Sequence, residues 1–176
     1  MFYLIQNIIQ FIDKLNEELG RSVAWLTSLL VLVVCTDVFS RYLLSETSNW
    51  ISDLQWHLFS LIFLLGAGYT FKHNKHVRVD LFHNHFSERD KAWVQFFGGL
   101  LLLLPWCVVL IYFSLEFTLI SWLIKERSPN PGGLPARYLI KGTIPVGFTL
   151  LALQGLSDVL KAALTLFFNN AEKSDR

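Results

Sequence analysis

Cysteine, charge and proline are all scarce in this chain, and each scarcity excludes something. The two cysteines, Cys35 and Cys107, both lie in apolar stretches. They read as small buried hydrophobes, not as a disulfide framework or a thiolate metal clip. Charged residues make up 16% of the 176 positions, against about 25% in an ordinary soluble domain. The formal net charge is +1, which gives no basis for nucleic-acid binding or a bulk acidic partner. Of the five prolines, three fall in "ERSPNPGGLP" (126–135), so most of the chain is free of helix breakers. Residues 2–12 lack a basic n-region, and no small-x-small site follows a short apolar core, so no secretory signal is expected. Internal repeats, low-complexity tracts and a second domain are not in evidence, and 1–176 reads as one membrane domain.

Apolar runs are what the chain does have. It is 53% hydrophobic with a mean hydropathy of +0.43, and a spanning helix needs about 20 mostly apolar residues. Four stretches qualify: about 22–44, 51–71, 92–124 and 138–168. The third stays uncharged from Ala92 through Leu115. Pro105 inside it frees a carbonyl one turn earlier and predicts a kink. "SETSN" (45–49), "HNHFSERD" (83–90) and the proline-rich 126–135 separate the spans. Residues 1–20 differ. Phe2, Ile5, Ile8, Ile9, Ile12, Leu15 and Leu19 recur at helical spacing, with Asp13, Lys14, Glu17 and Glu18 among the residues on the other side. That predicts an amphipathic helix lying on the membrane surface. The fold class is an all-α integral membrane protein with four transmembrane helices plus an N-terminal amphipathic interfacial helix.

Ten of the fifteen Lys and Arg residues fall in the N-terminal segment, the loop between spans two and three, and the C-terminal end. The positive-inside rule then puts both termini in the cytoplasm of a multi-pass inner-membrane protein. Trp50, Trp56, Trp122 and Tyr138 mark the outer interface. Trp25, Tyr69 and Trp93 mark the inner one.

Candidates for chemistry are few. His73, His76, His83 and His85 cluster, but they lack cysteines and a matching second half-site. Attraction of a basic juxtamembrane loop to anionic headgroups explains them more simply, so no metal is expected. A haem between helices needs paired histidines at one depth, and His57 is alone in a span. No catalytic constellation emerges. Asp37 and Arg41 are spaced i, i+4 near the outer end of span one, and Asp53 begins span two. Arg41 has three available partners: Asp37, Asp53 or a group in another chain. Charges at this depth mark either an ion path or a polar clamp. Spans three and four offer few polar groups to continue a path, which favours the clamp. Gln55 and Trp56 join this set as partner-interface candidates.

The stretch "RYLLSETSNWISDLQWHLFSLIFLLGAGYTFKHNKHVRVDLF" (41–82) resembles the small membrane subunit, the Q subunit, of tripartite ATP-independent periplasmic (TRAP) transporters. The matching features are Arg41-Tyr42, Trp50 three positions before Asp53, Leu65-Gly66-Ala67, and His76-x-Arg78-x-Asp80. "RYLIKGTIPVGFTLLALQGLSDVLKA" (137–162) is similar to that family's last helix. The acidic position is more often Glu in the family and is Asp53 here. The resemblance implies a subunit with no catalytic site and no cofactor of its own. Beside it would stand a large M subunit that carries substrate and sodium ions, served transiently by a periplasmic solute-binding protein. It further implies uptake of an organic acid. His76, Arg78 and Asp80 would pin the inner loop, with Lys72 and Lys75 at phospholipid headgroups. Lys125, Arg127 and Arg137 in the outer loop would lie near the docked binding protein. A four-helix redox subunit and a stand-alone carrier or channel are the alternatives.

Overall fold

A computed structural model describes residues 2–45, 48–73 and 87–167. Among them there are helices and turns but no strands. α1 runs from Phe2 to Phe39 and widens into a π-helical turn over Ser40–Leu44, which Ser45 ends with a left-handed φ of 55°. α2 covers Asn49–Lys72. α3 (Glu88–Phe97), a π-helical segment (Gly98–Leu103) and α4 (Leu104–Leu123) form one helical run. α5 covers Arg137–Phe167. Four helical stretches are long and apolar enough to cross a membrane: Tyr3–Leu44, Asn49–Lys72, Arg89–Leu123 and Arg137–Phe167.

The amphipathic segment is not an element of its own. α1 is a single helix of 38 residues, about 57 Å at 1.5 Å per residue, against a hydrocarbon core of about 30 Å. No proline interrupts it, and hydrogen bonding simply continues from the polar half into the apolar half. The buried positions Ile9, Ile12, Asn16, Gly20 and Val23 follow helical spacing. Their face points at α2 and α5, so this half of α1 packs against protein.

Pro105 acts as its chemistry requires. It cannot donate to the residue four before it, and the π-helical segment lies directly upstream, where a wider turn accommodates the missing bond. α3 begins with a capping box. The Ser87 hydroxyl accepts from Asp90 N, and the Asp90 carboxylate accepts from Ser87 N.

α5 is the hub. It packs against α1, α2, α3 and α4, whereas the main interhelical contacts of α4 are with α5. In its most apolar window 39% of residues are buried, against 11% for α1 and α2 and 6% for the α3–α4 run. Small residues let the backbones approach. At Gly147 a Cβ would sit 2.7 Å from the Leu64 carbonyl oxygen of α2, closer than atoms tolerate. The helices alternate in direction. One end of the bundle gathers residues 13–17, 68–73, 93–99 and 154–167. The other gathers 49–53, 121–126 and 128–141. They are called here the terminal end and the loop end.

Candidate functional site

Each end of the bundle carries a polar clamp. At the terminal end Asp13 of α1 reaches α5. Its Oδ1 accepts from Gln154 Nε2 at 2.9 Å, Ser157 Oγ at 2.8 Å and Lys161 Nζ at 3.0 Å. Asn16, one turn on, donates through Nδ2 to Gln154 Oε1 at 3.0 Å and to the Ile12 carbonyl at 3.3 Å. Asn16 is 1% exposed and Gln154 0%, so these bonds form out of solvent, where an unpaired amide is costly. Asn16 Oδ1 has no hydrogen-bond partner among the described residues. It lies against Gly68 of α2, where a Cβ would overlap it, so only glycine leaves it room. Glu17 extends the clamp to α2. Its Oε2 accepts from Lys72 Nζ at 2.7 Å and lies 2.9 Å from His73 Nε2, while Oε1 accepts from Arg21 Nε at 3.1 Å.

At the loop end the connection from 124 to 136 folds back on the helices. Ser128 N donates to the Leu134 carbonyl at 3.1 Å and Gly133 N to the Asn130 carbonyl at 3.0 Å. Asp53 Oδ2 accepts from Leu134 N at 2.9 Å, and Asn49 Nδ2 donates to the Pro131 carbonyl at 2.9 Å. Both residues belong to the first turn and a half of α2, so they pin the loop to it. A Cβ on Gly133 would overlap Asp53 and Ser128. Glu126 ties the loop to α4 and α5. It accepts from Lys141 and, at 2.6 Å, from Ser121 Oγ, with Arg137 Nη1 3.7 Å away. The Lys141 and Ser121 bonds hold its carboxyl below the usual carboxylate range. A cavity of about 360 Å³ remains between α2, the loop and α5, with Asp53, Trp56, His57, Ser60 and Arg137 on its walls.

The sequence candidates sort accordingly. Arg41 Nη2 donates to Asp37 Oδ2 at 2.9 Å; Asp37 is 5% exposed, while the Arg41 side chain is half exposed. Of the three partners open to Arg41, the intrahelical one is taken. Asp53 does not share that guanidinium, because the loop amide at Leu134 occupies it. Lys72, expected at the headgroups, turns inward to Glu17. Gln55 Nε2 is buried without a partner among the described residues. Trp25, Trp50 and Trp56 are exposed. Trp93 stacks on Phe97 at 5.4 Å and meets Phe167 edge-on at 6.0 Å, joining α3 to the end of α5. Lys125 and Arg127 are exposed and Arg137 nearly half so. Lys75, His76, Arg78 and Asp80 lie outside the described residues.

Sequence reasoning missed the roles of Asp13 and Glu17, which it placed on the polar face of a surface helix, and it assigned Asn16 to neither face. The signal was available: Asn16 continues the Ile9–Ile12 spacing, and Gln154, Ser157 and Lys161 recur at helical intervals on α5. Glu116 was missed too; it sits exposed within α4 with no partner among the described residues.

No individual curated protein matches the chain. Residues 30–165 match the family model described as tripartite ATP-independent periplasmic transporters, DctQ component. The match takes in the whole loop-end clamp and the α5 side of the terminal-end clamp. This family is a transporter component rather than an enzyme, working with an M subunit and a periplasmic binding protein. With its membrane-spanning helices, the chain is a multi-pass inner-membrane protein, and it belongs to the DctQ family, the small membrane subunits of TRAP transporters.

Proposed function

We propose that this chain is a static scaffold, not a conduit. It stabilises the large M subunit and helps dock the binding protein, and the complex takes up an organic acid coupled to ions. The observation that carries this reading is the distribution of polar groups. Asp13, Asn16, Gln154, Ser157 and Lys161 bond to one another at one end. Asp53, Asn49 and Glu126 bond to the loop and to neighbouring helices at the other. Groups engaged in holding helices together do not form a wet path, and transport sites need polar groups facing a cavity near mid-membrane. Sodium ions and substrate then belong to the partner subunit. The basic count puts both termini in the cytoplasm, so the loop end with Lys125, Arg127 and Arg137 faces the periplasm and offers a cationic rim to the binding protein.

Reconstitution tests the reading. Proteoliposomes holding this chain alone, the large subunit alone, or both are supplied with the binding protein and a labelled substrate. Uptake is expected only with both membrane subunits present. Substrate flux through this chain alone would overturn the scaffold role. Full uptake without it would remove the role altogether.

A further inference from the structure

Among the described residues, the carboxylates within the stretches 22–44, 51–71, 92–124 and 138–168 have a partner, with one exception. Asp53 accepts from the loop amide of Leu134. Asp37 has Arg41 and Asp158 has Lys161. Glu116, near the middle of α4, is exposed and has no partner among the described residues. It lies six residues before Trp122, which meets Tyr138 edge-on at 4.6 Å at the loop-end interface, and so about 9 Å inside that aromatic level at 1.5 Å per residue. The neighbouring Phe117 ring lies under Lys141 at 3.9 Å, but that ammonium is bound to Glu126. Lipid tails offer a carboxylate nothing.

Around Glu116 the exposed side chains form a seam. Val109, Tyr112, Leu119 and Leu123 are 40%, 67%, 61% and 78% exposed. With Glu116 they alternate by three and four residues, the spacing by which one helix lies along another. The stripe of Trp56, Phe59 and Phe63 on α2 is also exposed, but it is wholly apolar and lipid suffices to cover it.

We infer that the α4 seam centred on Glu116 seats a transmembrane helix of the large subunit, one that brings an Arg or Lys side chain to the level of Glu116. Charge complementarity selects this occupant over lipid. The inference rests on the scaffold reading and assigns it a surface.

A photoreactive p-benzoylphenylalanine is placed at Tyr112, at Leu119 and, as a control, at Phe63, and the complex is irradiated in its native membrane. Positions 112 and 119 are expected to give adducts with the large subunit, and position 63 to give far fewer. Glu116→Lys is expected to lower the copurified partner by roughly tenfold or more, and Glu116→Gln by less, because a buried ion pair that loses one member is strongly weakened. Where Glu116→Lys fails to insert, the adducts decide. Adducts at 112 and 119 to lipid only, or to a second copy of this chain, would overturn the inference. So would large-subunit adducts at 63 with none at 112 and 119. In those cases the unmodified chain still brings down its partner, and only the assignment of the surface falls. A chain that brings down no larger partner removes the scaffold reading and this inference with it.

Discussion

Single residues decide how firmly the helices are joined. Asn16 and Gln154 are fully buried and bond to each other. Replacing Asn16 with Leu leaves the buried Gln154 Oε1 unpaired, and replacing Gln154 with Leu leaves Asn16 Nδ2 only its longer bond to the Ile12 carbonyl, so each single change is expected to cost about 1–3 kcal/mol. Replacing both removes the unsatisfied group, so the double variant is expected to lose less than the sum of the singles. Thermal unfolding in detergent measures both effects. An additive double variant would mean the two amides are not coupled. Glu126 gives a pH dependence of defined sign. Its folded value lies below the ordinary 4.5, so its contribution is fully present above about 4.5 and is lost as pH falls through the lower folded value. Fluorescence of Trp122, one residue from Ser121, is expected to stay constant from neutral pH down to about 4.5 and change only in more acid solution. Glu126→Gln is expected to abolish that transition.

At the scale of elements, the apolar patterns announced four long helices, because lipid demands about 20 mostly apolar positions. The helical stretches Asn49–Lys72, Arg89–Leu123 and Arg137–Phe167 lie within a few residues of the expected ones, whereas the first begins at Tyr3 rather than near 22. The site was less legible. The partner of Asp53 is a loop amide 81 positions away, and no local pattern announces that distance. Arg41 had three reasonable partners, and the nearest along the helix took it. Asp13 and Glu17 looked like solvent-facing residues because the face opposite an apolar stripe is ordinarily wet; here α5 meets Asp13 and α2 meets Glu17 with polar groups of their own. Glycine shows the packing most directly. Gly147→Ala sets a Cβ 2.7 Å from the Leu64 carbonyl oxygen, and the resulting separation of α2 from α5 is expected to cost about 1–3 kcal/mol. Gly66→Ala, on the same helix as Leu64 but with open space at its Cβ, is expected to be neutral or slightly stabilising. A matched pair of thermal melts separates the two. Equal destabilisation would show that close approach at Gly147 is not what limits packing.

At the scale of the molecule, α5 is covered by its neighbours while α1, α2 and the α3–α4 run leave broad apolar faces open. Lipid covers most of that surface without cost. Most polar groups are drawn inward into the two clamps, whereas Glu116, deep in an apolar stretch, looks outward with no partner among the described residues. This arrangement suits a chain whose task is to be one wall of a larger assembly. The most direct test is isolation of the chain from its native membrane in a gentle detergent, followed by mass spectrometry and determination of stoichiometry. The expected result is one larger, very hydrophobic membrane subunit in fixed ratio with this chain. A chain that purifies alone, as a stable monomer or homo-oligomer, would contradict the account and turn the Asp37, Arg41 and Asp53 groups from clamps back into candidates for a path.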